Sequence, residues 1–339
     1  MPTAPTLPGD ASAPPRLPDA PLAVTPYHRS SAPLVAVAGA VAFSGKAIIV
    51  KLAYRHGVDA ITLITLRMVV ALPFFLAMVW WAGRGKPPLA WRDKRAAAAL
   101  GFLGYYLASL LDFLGLQHIS AGLERLILYL SPAVVLVLSW ALLGRRATVR
   151  QGLAMALGYA GLLLVFGHEL HLEGPQVLLG TALVLGSTLS YALYLIYSGE
   201  VVRRIGSLRL TGWASSVACG LCLAQYGLLR LPELPELLGM PALLAPVGRW
   251  AALSSLTTLT APVWWLSLLN GTVCTVLPVW LVMRAIELIG PARTAQYGMV
   301  GPVSTIVLGV LILDEPFTAW VAAGSLAVLA GVMLLAAAR

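Results

Sequence analysis

From Ala32 onward the chain repeats one pattern, an apolar stretch of about 20 residues followed by a short polar break. The stretches fall at roughly 34–54, 60–82, 97–117, 123–143, 150–167, 177–198, 210–229, 262–284, 293–313 and 317–337. At about 1.5 Å of rise per residue, such a stretch crosses about 30 Å of hydrocarbon as a helix. The pattern predicts an all-α polytopic membrane protein with ten transmembrane helices. Segment 231–258 breaks the rhythm. Its prolines, Pro232, Pro235, Pro241 and Pro246, predict an interfacial or re-entrant piece. Residues 1–30 differ again: eight prolines among Ala, Ser and Thr predict a disordered cytoplasmic tail. That tail lacks a basic start followed at once by an apolar core, so the first span is expected to direct insertion.

Composition sharpens this class. Hydrophobic residues make up 59% and charged residues 11% of 339, against about 25% charged in soluble domains. The mean hydropathy is +0.85. A soluble chain of this size could not hide so much apolar surface, which argues against a soluble enzyme, a disulfide scaffold or a disordered hub. Cys219, Cys222 and Cys274 lie in apolar runs and suggest neither a disulfide framework nor a metal site. The net charge of +9 would suggest nucleic acid in a soluble chain, but no basic and aromatic platform is present. Instead, with a cytoplasmic N-terminus, 16 of the 23 Lys and Arg fall in cytoplasmic segments and 3 in outer ones. The positive-inside rule then places both termini in the cytoplasm, and an inner membrane is expected.

The chain also repeats itself. At an offset of 170 residues, Pro132 falls on Pro302, Thr148 on Thr318 and Gly161 on Gly331. A polar turn follows each proline: Gly144-Arg145-Arg146 in the first copy, Asp314-Glu315-Pro316 in the second. Five spans per copy invert the second one. The arginine turn is then inside and the carboxylate turn outside, as orientation of inverted copies demands. The copies are expected at 34–168 and 176–338.

The run from Leu111-Asp112-Phe113 through Gly122-Leu123-Glu124-Arg125 to Ser131-Pro132 resembles the third-to-fourth-helix signature of EamA-domain permeases. These belong to the drug/metabolite transporter superfamily. Arg67 in Leu66-Arg67-Met68 resembles that family's second-helix arginine, and Leu313-Asp314-Glu315-Pro316 its second-repeat turn. Gly144-Arg145-Arg146 departs from the glycine-glutamate turn of many members. The resemblance implies two inverted five-helix EamA repeats around a central cavity, and export or uptake of small metabolites.

A charge inside a membrane costs at least about 2.5–3.5 kcal/mol and marks a cavity or a partner. Six charged residues fall within spans: Lys46, Lys51, Arg67, Asp112, Glu124 and Arg125. All are in the first copy and in its outer half. Lys46 and Glu124 are read as a resting ion pair facing the cavity, for which an anionic or zwitterionic solute competes. Lys51, Arg67, Asp112 and Arg125 are read as a supporting charge network. In it Asp112 partners Arg67, Lys51 snorkels to the interface, and Arg125 reaches toward head groups. Tyr129, Tyr191, Tyr194, Asn270, Gln296 and Tyr297 complete the candidate cavity. Pro132 and Pro302, near mid-span, are hinge candidates. Gly158 with Gly161, and Gly298 with Gly301, are expected to allow close helix packing.

No phosphate loop, nucleophile–base pair or metal set is visible. The reading is therefore a secondary transporter without cofactor, working by alternating access, with export favoured over uptake. The residues leave open protons as the coupling ion, an uncoupled facilitator, and association into a homodimer. An intramembrane lipid-modifying enzyme would need a clustered catalytic set, and Asp112 with His118 is thin support for one. A scaffold would need a large soluble domain.

Overall fold

The computed structural model describes residues 26–143, 148–229, 256, 259–298 and 300–337. The proline-rich segment 1–25, the Gly144-Arg145-Arg146 turn and nearly all of segment 231–258 lie outside these. The described chain is helical, without strands. Helix α1 spans Pro26–Tyr54 and α2 Ala60–Gly83. Helix α1 thus takes in residues 26–30 of the expected tail, since a proline at a helix start sacrifices no hydrogen bond. Helix α3 runs from Trp91–Gly101 through a π-helical stretch, Phe102–Leu107, into Ala108–Gly115. Helix α4 has two segments, Ala121–Tyr129 and Ser131–Leu143. Then come α5 (Val149–Glu173), α6 (Gln176–Ile205) and α7 (Ser207–Leu229). Helix α8 joins Ala261–Gly271, a second π stretch at Thr272–Val276, and Leu277–Gly298. Helices α9 (Val300–Leu313) and α10 (Ala319–Ala337) finish the chain.

Seven of the described helices are long and apolar enough to cross a membrane, and α9 and α10 are shorter apolar helices. Helix α7 stands outside that set because Arg209, Thr211, Ser215, Ser216 and Gln225 dilute its apolar run. Its buried face carries Leu210, Ala214, Ala218, Cys219 and Cys222. The chain stays helical across the turn expected at 284–293. The run Ala285, Ile286, Glu287, Leu288 and Ile289 carries the helix there against Gly290 and Pro291, which oppose it.

The two halves meet in reciprocal contacts. A Cβ on Gly161 of α5 would lie 2.5 Å from the Gly324 carbonyl of α10. A Cβ on Gly331 of α10 would lie 2.7 Å from the Ala154 carbonyl of α5. At the repeat offset, 161 maps to 331 and 154 to 324, so each contact is the image of the other. That is the pattern of an isologous two-fold interface. Residue numbers rise along α5 as they fall along α10, so these equivalent helices run antiparallel, as inverted copies must. Small residues let the backbones touch. Gly158 belongs to the same seam, its nitrogen 2.7 Å from the Gly331 Cβ position. Gly298 does not pack closely, since nothing lies within 4 Å of its Cβ position.

The π stretches obey the same offset: 102 maps to 272. Each follows a glycine jammed against the other half. A Cβ on Gly101 would collide with the Ala214 carbonyl of α7, and one on Gly271 would meet the Arg67 carbonyl of α2 at 2.9 Å. Pro132 lies midway along α4, in the first turn of its second segment Ser131–Leu143, and Pro302 in the first turn of Val300–Leu313. A missing N–H costs little there, because first-turn donors have no intrahelical acceptor.

Candidate functional site

The site is built on α1, α3 and α4. Lys46 projects from α1, whose small neighbours Ser44, Gly45 and Ala47 allow close approach of other helices. Its Nζ donates to Asp112 Oδ2 of α3 at 2.5 Å and to Glu124 Oε1 of α4 at 3.0 Å. All three side chains are buried, at 5%, 3% and 0% exposure. Burying an ion costs several kcal/mol, offset only by good geometry and further hydrogen bonds. That compensation is incomplete here: Asp112 Oδ1 and Glu124 Oε2 are buried without a partner. The structure brings Lys46 and Glu124 together, but neither lines the cavity described below. Asp112 differs: it pairs with Lys46 rather than with Arg67, because the long Lys46 side chain reaches across to it from α1 while Arg67 Nε is engaged by Thr275.

The two intramembrane arginines flank this triad. Arg67 Nε donates to Thr275 Oγ1 at 2.9 Å, and Thr275 passes its hydroxyl to the Asn270 carbonyl at 2.7 Å. Its guanidinium lies 5.2 Å from the Phe113 ring. Arg125 Nε donates to Thr305 Oγ1 at 2.9 Å, and a terminal nitrogen to the Phe43 carbonyl at 3.0 Å. Its guanidinium lies 5.1 Å from the Phe43 ring, which also faces Lys46 Nζ at 5.8 Å. Arg125 is buried, not turned to head groups as expected. Its own bonds to Thr305 of α9 and the Phe43 carbonyl of α1 hold it between those helices. Both arginines cross from the first repeat to threonines of the second. So do Ser44, which donates to the Gly301 carbonyl at 2.8 Å, and Tyr129, which donates to the Gly298 carbonyl at 2.5 Å.

Above Glu124, at the start of α4, the second repeat's turn closes over the site. Ser120 Oγ caps Leu123 N–H at 2.9 Å. Glu315 accepts Ala121 N–H at 2.8 Å and Gly122 N–H at 3.3 Å. An anion at a helix N-terminus is stabilised by its orphan donors and its dipole. Asp314 takes a left-handed backbone (φ 59°) to make the turn, a conformation short polar residues tolerate. Arg55, in the turn just after α1, donates to the Leu313 carbonyl at the C-terminus of α9. Between these contacts lies a cavity of about 370 Å³, lined among others by Lys51, Arg55, Gln117, Ser120, His168 and Glu315.

The other candidates lie apart. Tyr194 meets Tyr105 of the first π stretch with 3.3 Å between hydroxyls and stacks on Tyr191. It belongs to an apolar cluster with Leu89, Ala97 and Val201, away from the triad. Asn270 is fully buried beside Gly271, and neither amide atom has a partner. Tyr297 is 38% exposed, and the Gln296 side chain lies outside the described residues. No group of three metal-ligating side chains forms among the described residues. Sequence reasoning missed Glu315, Thr275 and Thr305. The family-like turn signals the first, and nothing distinguishes the threonines from others in apolar helices.

A helical bundle with inverted halves and a buried ionic centre defines a polytopic membrane protein of the transporter kind. The EamA-like transporter family model matches residues 30–167 and again 178–337, and the chain belongs to that family. It is 28% identical over 289 residues to a Bacillus subtilis (strain 168) protein named uncharacterized transporter YcbK, covering 82% of this chain and 83% of that one. A WAT1-related protein of Arabidopsis thaliana is 27% identical over 52% of this chain and 57% of its own. One crystal structure shares the fold with a TM-score of 0.57 at 17% identity, covering 91% of this chain and 98% of that one.

Proposed function

We propose that this transporter exports a small anionic or zwitterionic metabolite by alternating access in an inner membrane, with both termini cytoplasmic. Lys46, Asp112 and Glu124 form its solute and proton site. The observation that carries this is one buried lysine shared by two buried carboxylates, each with an unpartnered oxygen. The two carboxylates share one ammonium and each keeps an oxygen without a partner, so either has a place for a proton. A solute anion that draws Lys46 away leaves the carboxylates facing each other and favours that proton further. Solute and proton occupancy are thereby linked. Tyr129 and Asn270 are read as cavity groups, and Pro132 and Pro302 as hinges that let one half rock against the other. No nucleotide-binding motif occurs in the sequence, so the driving force is an ion or solute gradient.

The test compares solutes released by cells lacking, carrying and overproducing the protein. At least one solute should rise and fall with protein level, and Lys46→Met should abolish the difference. In vesicles, Glu124→Gln should remove the effect of an imposed pH gradient. A Lys46→Met protein that exports normally would sink this reading.

A further inference from the structure

Two buried cations have no task in the scheme above. Five charged side chains are buried among the described residues: Lys46, Arg67, Arg125, Asp112 and Glu124. Fully ionised they sum to three positive minus two negative, or +1. Protonating either carboxylate raises the sum to +2. Both carboxylates are spent on Lys46. Arg67 and Arg125 form no ion pair among the described residues and donate only to threonine hydroxyls and a backbone carbonyl.

Tying helices together does not account for that charge. A neutral amide could reach the same threonines without the desolvation cost of a guanidinium. Nor do the threonines need the arginines. Thr275 also bonds the Asn270 carbonyl, and Thr305 the Gly301 carbonyl. Each guanidinium is instead held by a phenyl face, over Phe113 or Phe43. A ring face attracts the cation without accepting its N–H groups in ordinary hydrogen bonds, which leaves terminal donors for a planar carboxylate. Both terminal nitrogens of Arg67 and one of Arg125 have no acceptor among the described residues.

Both arginines border the triad. Phe113 follows Asp112, Arg125 follows Glu124, and the Phe43 ring faces both Lys46 and Arg125. Their threonines belong to α8 and α9 of the second repeat, Thr275 within a π stretch. Such stretches are frequent at functional sites.

We infer that Arg67 and Arg125 are the anion-recognising residues of the site, and that the solute carries a carboxylate. This rests on the transport reading for where the solute goes, but not for how it is bound. One carboxylate brings the ionised site to neutrality. When α8 and α9 move against the first repeat, the threonines are withdrawn, and the solute is the acceptor left to the guanidiniums.

The test uses the purified full-length protein in detergent, with Arg67→Met, Arg125→Met and Lys46→Met variants. Without solute, Arg125→Met should melt no lower than the wild type, because it lowers the buried net charge from +1 to zero and strands no hydroxyl. A structural tie would instead make it melt lower. Thermal shifts are then read with benzoate, pyruvate and N-acetylglycine, each against its amide, benzamide, pyruvamide and N-acetylglycinamide. At least one acid should stabilise the wild type at a concentration about tenfold below its amide. Both arginine variants should lose that shift. Amides matching their acids, no acid stabilising at all, or acid shifts unchanged in both variants would overturn the inference. If a neutral or cationic solute is exported in a Lys46-dependent way, the transport reading stands and this one fails. If Lys46→Met exports normally while acid binding still needs the arginines, the reverse holds.

Discussion

Removing the Glu315 side chain should loosen the closure over the start of α4, and the structure sets the size of the effect. The carboxylate takes two of the α4 orphan N–H groups, one at 2.8 Å and one at a weaker 3.3 Å. A charged hydrogen bond contributes about 1.5–3 kcal/mol when well formed. The favourable dipole at a helix start overlaps with it at about 0.3–1 kcal/mol. Glu315 is half-buried on a cavity, so screening reduces the sum to about 1–2 kcal/mol. That shifts a closed–open equilibrium by about 5–30-fold. Leu123, fully buried and lining the same cavity, is the reporter. Labelling of Leu123→Cys by a membrane-impermeant maleimide in detergent should track the open population. Cys219, Cys222 and Cys274 are buried and supply the background rate. Glu315→Ala should accelerate labelling about 5–30-fold, and Glu315→Gln, which keeps an acceptor but not the charge, by less. Gly309→Ala should act the same way from the opposite element, because its Cβ would sit 2.7 Å from Glu315 Oε2. Equal labelling rates in the Glu315→Ala and unaltered backgrounds would refute the closure.

The reciprocal α5–α10 seam leaves no room for a methyl, so Gly161→Ala and Gly331→Ala should each destabilise by about 1–3 kcal/mol. Thermal unfolding in detergent should show similar losses for both, and none for Gly220→Ala, whose Cβ meets open space. Burial lowers the His118 pKa, nearby Lys51 lowers it further, and a Gln176 hydrogen bond partly opposes them. The unfolded chain then takes the proton first. Stability should be highest above about pH 6.5 and fall as pH drops through the gap between the two values. His118→Gln should flatten that slope in melts recorded across the range.

How much of the site is legible in the sequence depends on what each signal encodes. Insertion cost singles out any charge in an apolar span, so Lys46, Asp112 and Glu124 stand out from hydropathy alone. Pairing within that set depends on which helices are neighbours, and hydropathy does not carry lateral order. Charge matching along the chain therefore assigns Asp112 to Arg67, where the reach of the Lys46 side chain gives it to Lys46. The threonine partners are invisible in the sequence because a neutral hydroxyl costs an apolar helix little. Tyr191 and Tyr194 satisfy the same polarity criterion as the cavity groups, yet Tyr194 closes an apolar cluster elsewhere and Tyr191 stacks on it. The π stretches leave no trace in hydropathy. Only the matched glycines, Gly101 and Gly271, one repeat apart, hint at them.

The repeat is symmetric in its scaffold and asymmetric in its charge. Glycine contacts and π stretches recur at the 170-residue offset, yet all five charges buried among the described residues sit in the first copy. At that offset Glu124 and Arg125 map to Thr294 and Ala295. What the second copy presents to the charges is neutral: Thr275, Thr305 and the carbonyls of Gly298 and Gly301 accept from Arg67, Arg125, Tyr129 and Ser44. Neutral acceptors can be exchanged for water or solute without stranding an opposite charge in the membrane. A carboxylate in their place would hold the halves together by several kcal/mol once desolvated. Under the proposed alternating access, keeping these buried charges on one half leaves the interface between the halves free to rearrange, with the ionic centre moving as a unit.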